Sequence, residues 1–160
     1  MSNDYSEELR GKATDSLDAF ADVLKLANSS FDTKEIELTL LLKPHKPPSS
    51  LPRGKMAVYS FFHDGKCLKV GKVGAKSQAR YVSQHYLPNS SMSNLSKSLL
   101  KSEIWCDRYS LEEVSVGPWI KTYTDRINFV LPESAGLDVL SLLEAFLHCR
   151  WKPEFEGKSV

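Results

Sequence analysis

The chain predicts an α/β sandwich of the α+β kind: a small three-stranded sheet flanked by helices, preceded by a helix–strand extension. Three observations carry this. First, Met56–Phe62 is rich in β-branched and aromatic residues, as strands are, and CLKVG (Cys67–Gly71) reads as its return strand. His63-Asp64-Gly65-Lys66 lies between them. An Asp-Gly pair there signals a hairpin, because glycine tolerates the positive φ of a tight turn. Second, Ile127–Leu131 reads as a third strand, ended by Pro132. Third, the sheet-forming stretch lies between two helical patterns. Ala13, Leu17, Phe20, Leu24 and Ala27 recur at three and four within Ser6–Asn28. The other pattern runs from about Ala135 to Arg150 and stops before Pro153.

The remaining elements follow in order. Ile36, Leu38 and Leu40 alternate in a short strand pattern. Four prolines between Pro44 and Pro52 then exclude helix and strand interiors, so this stretch reads as an extended linker. The division expected is 1–52 as extension and linker, and 53–160 as the main domain. After the hairpin, Gly71 and Gly74 mark a turn, and Ser77 is placed to cap a helix to Tyr86. On that helix Ala79, Val82 and Tyr86 share a face, with Arg80 and Gln84 one position round. A polar loop, Leu87–Ser93, leads to Asn94, which can cap a short helix through Leu95, Leu99 and Leu100. Gly117-Pro118 opens another, with proline in its first turn.

At 160 residues the chain is long enough for a core without metal or disulfide staples. No apolar run approaches eighteen residues, so no membrane span is expected. The polar, acidic N-terminus is unlike a signal peptide. Cys67, Cys106 and Cys149 form no paired spacing and read as free thiols in a reducing cytoplasm. The net charge is only +1, but it is unevenly spread. Between Lys66 and Lys101 stand seven cations (Lys66, Lys69, Lys72, Lys76, Arg80, Lys97, Lys101) and no acid. That pattern is the footprint of a phosphate-rich partner, or a solvated basic face.

Glu144 is the most informative single residue. It falls on one stripe of the last helix with Leu137, Leu140, Leu147 and Trp151. A carboxylate there needs a partner, either a metal ion or a core cation such as Arg80 or Arg126. Tyr59 shares a strand face with Ala57 and Phe61, a position that is normally core.

Ala57-Val58-Tyr59, Lys69-Val70-Gly71, Arg80, and the run Leu143–Phe155 with Glu144 and Pro153-Glu154-Phe155 together resemble the GIY-YIG nuclease family. The likeness spans about Met56 to Glu156. Ala57-Val58-Tyr59 stands where that family has G-I-Y, and Lys69-Val70-Gly71 where it has Y-I-G. Lys72 stands at a frequent lysine. Gly71 to Arg80 is nine residues where the family commonly has eight. The resemblance implies a short mixed or antiparallel sheet flanked by helices. It implies a divalent-metal-dependent DNA endonuclease, with Glu144 as the protein ligand of one Mg²⁺ or Mn²⁺ and no organic cofactor. Arg80 would steady charge on the phosphodiester, and Tyr59, Lys69 or His85 would position or deprotonate the attacking water. Lys72, Lys76, Lys97 and Lys101 would hold DNA phosphates. Glu156 stands where the family often has asparagine and is either a second acid near the metal or an exposed C-terminal acid with no role. Two other readings stay open: a catalytically inactive nucleic-acid-binding module with the same fold, and a protein-interaction domain docking through the acidic N-terminal helix.

Overall fold

The structure, a computed structural model, describes residues Ser2–Phe155; Glu156 lies outside the described residues. It is an α+β fold around a four-stranded, wholly antiparallel sheet. The strands are β1 (Glu37–Leu41), β2 (Lys55–His63), β3 (Lys66–Val73) and β4 (Asp125–Pro132), in the order β1-β4-β2-β3. Three strands were expected. The fourth is β1, the strand of the N-terminal extension, which pairs with the outer edge of β4 from Glu37↔Val130 to Leu41↔Arg126. Leu38 and Leu40 alternate toward the apolar side, so this pairing buries them and completes the β4 ladder. The hairpin turn is as read: Asp64 and Gly65 both have positive φ (48° and 78°), the geometry of a two-residue I′ turn.

Helices cover both faces. On one lie α1 (Ser2–Leu26) and α6 (Leu137–Trp151). Phe20 and Leu24 join Val58, Phe62, Ile127, Phe129, Leu140, Leu143 and Leu147 in one core. The extension therefore shares a core and a sheet with the rest of the chain. Leu137 is exposed, so the buried stripe of α6 begins at Val139 and Leu140. The opposite face is covered by α2 (Ala79–Val82), α3 (Leu95–Lys101), α4 (Glu103–Tyr109) and α5 (Val116–Tyr123). Asn94 caps α3 as expected, accepting from the Lys97 N–H at 2.8 Å.

The helix expected from Ser77 to Tyr86 is shorter and broken. Gln78 precedes α2 without a side-chain cap, and Ser83 leaves the helical region before a 3₁₀ turn at Gln84–Tyr86. Tyr-Val-Ser is a weak helix-forming run, and the break turns His85 and Tyr86 inward, where both are buried. The proline-rich linker has no helix or strand, but it is tightly held. His45 is buried between the Thr124 carbonyl and the Tyr86 hydroxyl, and its N–H donates to the Lys121 carbonyl. None of the three cysteines forms a disulfide among the described residues. Among the described residues no helix is long and apolar enough to cross a membrane.

Candidate active site

Strand alternation sends Tyr59 to the face under α2–α5, with Ala57 and Phe61. Its cross-strand partner on β3 is Gly71. A Cβ built on Gly71 would lie 2.7 Å from the Tyr59 hydroxyl oxygen. Glycine is thus required because the phenol lies across its backbone, on the edge strand of the sheet. This ties the glycine of the second motif to the tyrosine of the first by direct contact.

The Tyr59 hydroxyl lies 2.6 Å from His85 Nε2, and the direction of that bond follows from the other ring nitrogen. His85 Nδ1 is 3.0 Å from the Leu95 N–H, at the start of α3, and a backbone N–H can only donate. Nδ1 is therefore unprotonated. Burial first, then the charges of Arg126, Arg80 and Lys69, hold the His85 pKa well below its ordinary 6.5. A neutral ring with a bare Nδ1 carries its proton on Nε2, so His85 donates to Tyr59. Both ring nitrogens are occupied. His85 holds the phenol and has no free lone pair with which to accept a proton from water.

Arg80 lies near the Tyr59 hydroxyl, and its charge favours the ionised form. The phenol oxygen thus accepts from His85, beside the Arg80 charge, and its own proton is left to point elsewhere. Burial raises the Tyr59 pKa from 10 to about 12, against the opposing pull of Arg80 and Arg126; Glu144 adds a smaller upward push. The cations that act on this hydroxyl are Arg80 and Arg126. Lys69, another candidate for handling the water, is buried, donates to the Phe155 carbonyl at 3.3 Å, and acts electrostatically on His85.

Glu144 reaches the same region from α6, on the far side of the sheet. It is half-buried and forms an ion pair with Lys72, with His148 Nε2 4.0 Å from its other oxygen. The cation paired with this carboxylate is therefore Lys72, whose side chain stays partly exposed. Among the described residues no group of three His, Cys, Asp or Glu side chains comes together as a metal cage. One carboxylate is nevertheless a fitting donor for Mg²⁺, which keeps several waters and completes its shell with substrate phosphate oxygens. The ion would have to take the place of Lys72 on one oxygen.

Tyr59, Arg80 and His85 are thus brought together on one face, while Glu144, paired with Lys72, acts on Tyr59 electrostatically from the other. Lys76 and Lys101 are exposed and Lys97 half-buried; the last two lie one turn apart on α3, whose first N–H holds His85. Lys66 pairs with Glu154 at 2.9 Å. Sequence reasoning gave Arg126 only as a possible partner for Glu144. It lies at the centre of the polar layer beside Tyr59, fully buried. The available signal was the alternation of β4, where Arg126 and Asn128 oppose Ile127 and Phe129. Comparison with family models, curated proteins and solved structures finds no match.

Proposed function

We propose that this protein is a divalent-metal-dependent DNA endonuclease of the GIY-YIG kind, with Tyr59 as general base. The supporting observation is the Tyr59 hydroxyl held by an Nε2–H donor from His85, with Arg80 beside it and Glu144 acting on it from the other side of the edge strand.

A donated hydrogen bond from His85 and the nearby Arg80 charge stabilise a phenolate more than a phenol. A phenolate at Tyr59 takes a proton from water; the resulting hydroxide oxygen bonds to phosphorus, and the bond to the 3′ oxygen breaks. The buried hydroxyl has no exposure of its own. A water reaches it when Arg80 swings toward a phosphate, where the planar guanidinium spans two oxygens and steadies the added negative charge. Glu144 would hold the metal ion, which supplies Lewis-acid polarisation of the scissile phosphate and the leaving oxygen. Lys72, released from Glu144, then joins Lys76, Lys97 and Lys101 in binding backbone phosphates. The compartment is expected to be cytoplasmic.

A second reading, a catalytically inactive DNA-binding module, draws on one observation: the Glu144 carboxylate is engaged by Lys72. Supercoiled plasmid incubated with Mg²⁺, with and without EDTA, separates the two readings. Nicking that EDTA and Glu144→Gln each abolish, in a variant that melts like the parent, is the expected result. Retention of DNA binding with no nicking by the parent selects the inactive module. Normal nicking by Glu144→Gln removes the acid from the site.

A further inference from the structure

Arg126 is a fully buried guanidinium with no carboxylate within ion-pair distance among the described residues. Its neighbour Asp125 points to the other face of β4, where its oxygens accept from the Lys43 N–H and the Tyr5 hydroxyl. A buried cation without an anion is costly. Three hydrogen bonds hold it in place: Nε to Asn128 Oδ1 at 2.8 Å, one terminal nitrogen to the Tyr86 hydroxyl at 3.1 Å, the other to the Tyr81 carbonyl at 2.6 Å. The Tyr86 hydroxyl is fixed in turn by His45 at 2.9 Å. The guanidinium carbon lies 5.0 Å from the Tyr59 ring centre, 5.1 Å from Phe61 and 4.8 Å from Tyr81. All of its acceptors are neutral. A clamp of this rigidity holds a positive charge against the ring of Tyr59, in a site where water cannot screen it.

We propose that Arg126 is the standing counter-charge of the Tyr59 phenolate, a positioning residue that acts through Tyr59 and never on the DNA. The missing anion is the one formed during the reaction. Arg80, the other cation at this hydroxyl, is half-exposed and is needed at the phosphate; Arg126 stays when Arg80 leaves. The remaining charged or titratable groups facing Tyr59 are His85, which is neutral, Tyr81, whose pKa burial raises, and Glu144, which opposes the phenolate. Lys69 acts on His85. This inference rests on Tyr59 being the base.

The test is a double-mutant cycle in plasmid nicking, with a titration that needs no activity. Arg126→Met is expected to lower the rate at least tenfold in the parent and to lower it no further in Tyr59→Phe, while Arg126→Lys, which keeps the charge, recovers part of the loss. Equal losses in both backgrounds overturn the proposal. In parallel, a fluorinated tyrosine at position 59, whose phenol titrates in an accessible range, is followed by fluorine resonance while the Arg126 Nε–H is followed by nitrogen resonance. This arm leaves Arg126 unmutated, so it stands even where Arg126→Met fails to fold. A shared midpoint supports the pair, and an Arg126 signal blind to Tyr59 ionisation overturns it. If the two titrate together but Tyr59→Phe nicks normally, the pairing holds while the base assignment fails, and the catalytic role of Arg126 falls with it.

Discussion

The two faces of the sheet are built from the same strands and do opposite things. Under α1 and α6 the strands offer Val58, Phe62, Ile127, Phe129 and Leu131, an apolar layer closed by Phe20, Leu24, Leu143 and Leu147. Under α2–α5 the neighbouring positions are Tyr59, Arg126 and Asn128, with His85, Tyr86 and His45 turned in from the loops. Burial is as complete on this face, but its polar side chains are joined by hydrogen bonds. Trp151 Nε1, on the apolar side, is the one buried side-chain donor or acceptor without a partner among the described residues. Alternation with period two thus lets one face supply stability while the other holds groups that water would otherwise disperse.

The largest expected effect follows from stripping the apolar face. A chain starting at Leu51 loses α1 and β1, exposing Phe62 and Phe129 and leaving the outer edge of β4 unpaired. An unpaired, apolar edge beside an uncovered face favours aggregation. We expect this chain to be insoluble or to melt without cooperativity, measured by circular dichroism and sedimentation. A soluble chain with a cooperative melt and intact nicking would make residues 1–52 a separable extension after all.

Next in size are paired substitutions, one on each face. Leu143→Ala opens a cavity in the apolar layer and should cost about 2–5 kcal/mol of stability, with nicking per folded molecule unchanged. Tyr59→Phe removes one oxygen and leaves the His85 Nε2–H facing a ring. It should cost about 1–3 kcal/mol of stability but lower the rate at least about a hundredfold, as loss of a general base does. Equal ratios of rate loss to stability loss in the two variants would erase the functional distinction between the faces.

The apolar face was largely legible in the sequence. The periodicity of the terminal helix and the strand runs place Phe20, Leu24, Val58 and Phe129 directly, because hydrophobic burial needs only spacing. The polar face was legible only at residues that carry a motif, Tyr59 and Arg80, as Glu144 was on α6. Arg126 was not, because alternation says that it opposes Ile127 but not that four short helices from the 79–123 insertion will cover it. His85 was visible as a candidate, but its role was not. That role depends on the N–H of Leu95, ten residues on, after a helix that breaks where simple periodicity runs through. Lys72 read as a phosphate ligand because its distance from Glu144, 72 residues along the chain, has no signature in the local sequence.

The smallest expected effect is a difference in response to acid, and it needs no substrate. The polar face carries two buried histidines whose pKa values lie below 6.5: His85, through burial and then Arg126, Arg80 and Lys69, and His45, through burial despite the Thr124 carbonyl. Both stay neutral in the folded chain where the unfolded chain takes up protons. As pH falls below 6.5 the unfolded state therefore binds more protons, and stability drops. For His85 the slope is at most about 1.4 kcal/mol per pH unit, continuing until the folded ring itself protonates and the Leu95 N–H loses its acceptor. The alkaline side mirrors this. Tyr59, with its pKa raised to about 12 chiefly by burial, keeps its proton between pH 10 and 12 while the unfolded chain releases one, so stability falls there too. Urea melts from pH 7.5 down to 5 should show the acid slope in the parent. His85→Asn, which never charges and still offers an acceptor to Leu95, should make it shallower and leave the His45 share, while Leu143→Ala should lower the whole curve without changing its shape. An unchanged slope in His85→Asn would mean that the acid sensitivity comes from elsewhere and that His85 is not the neutral donor to Tyr59.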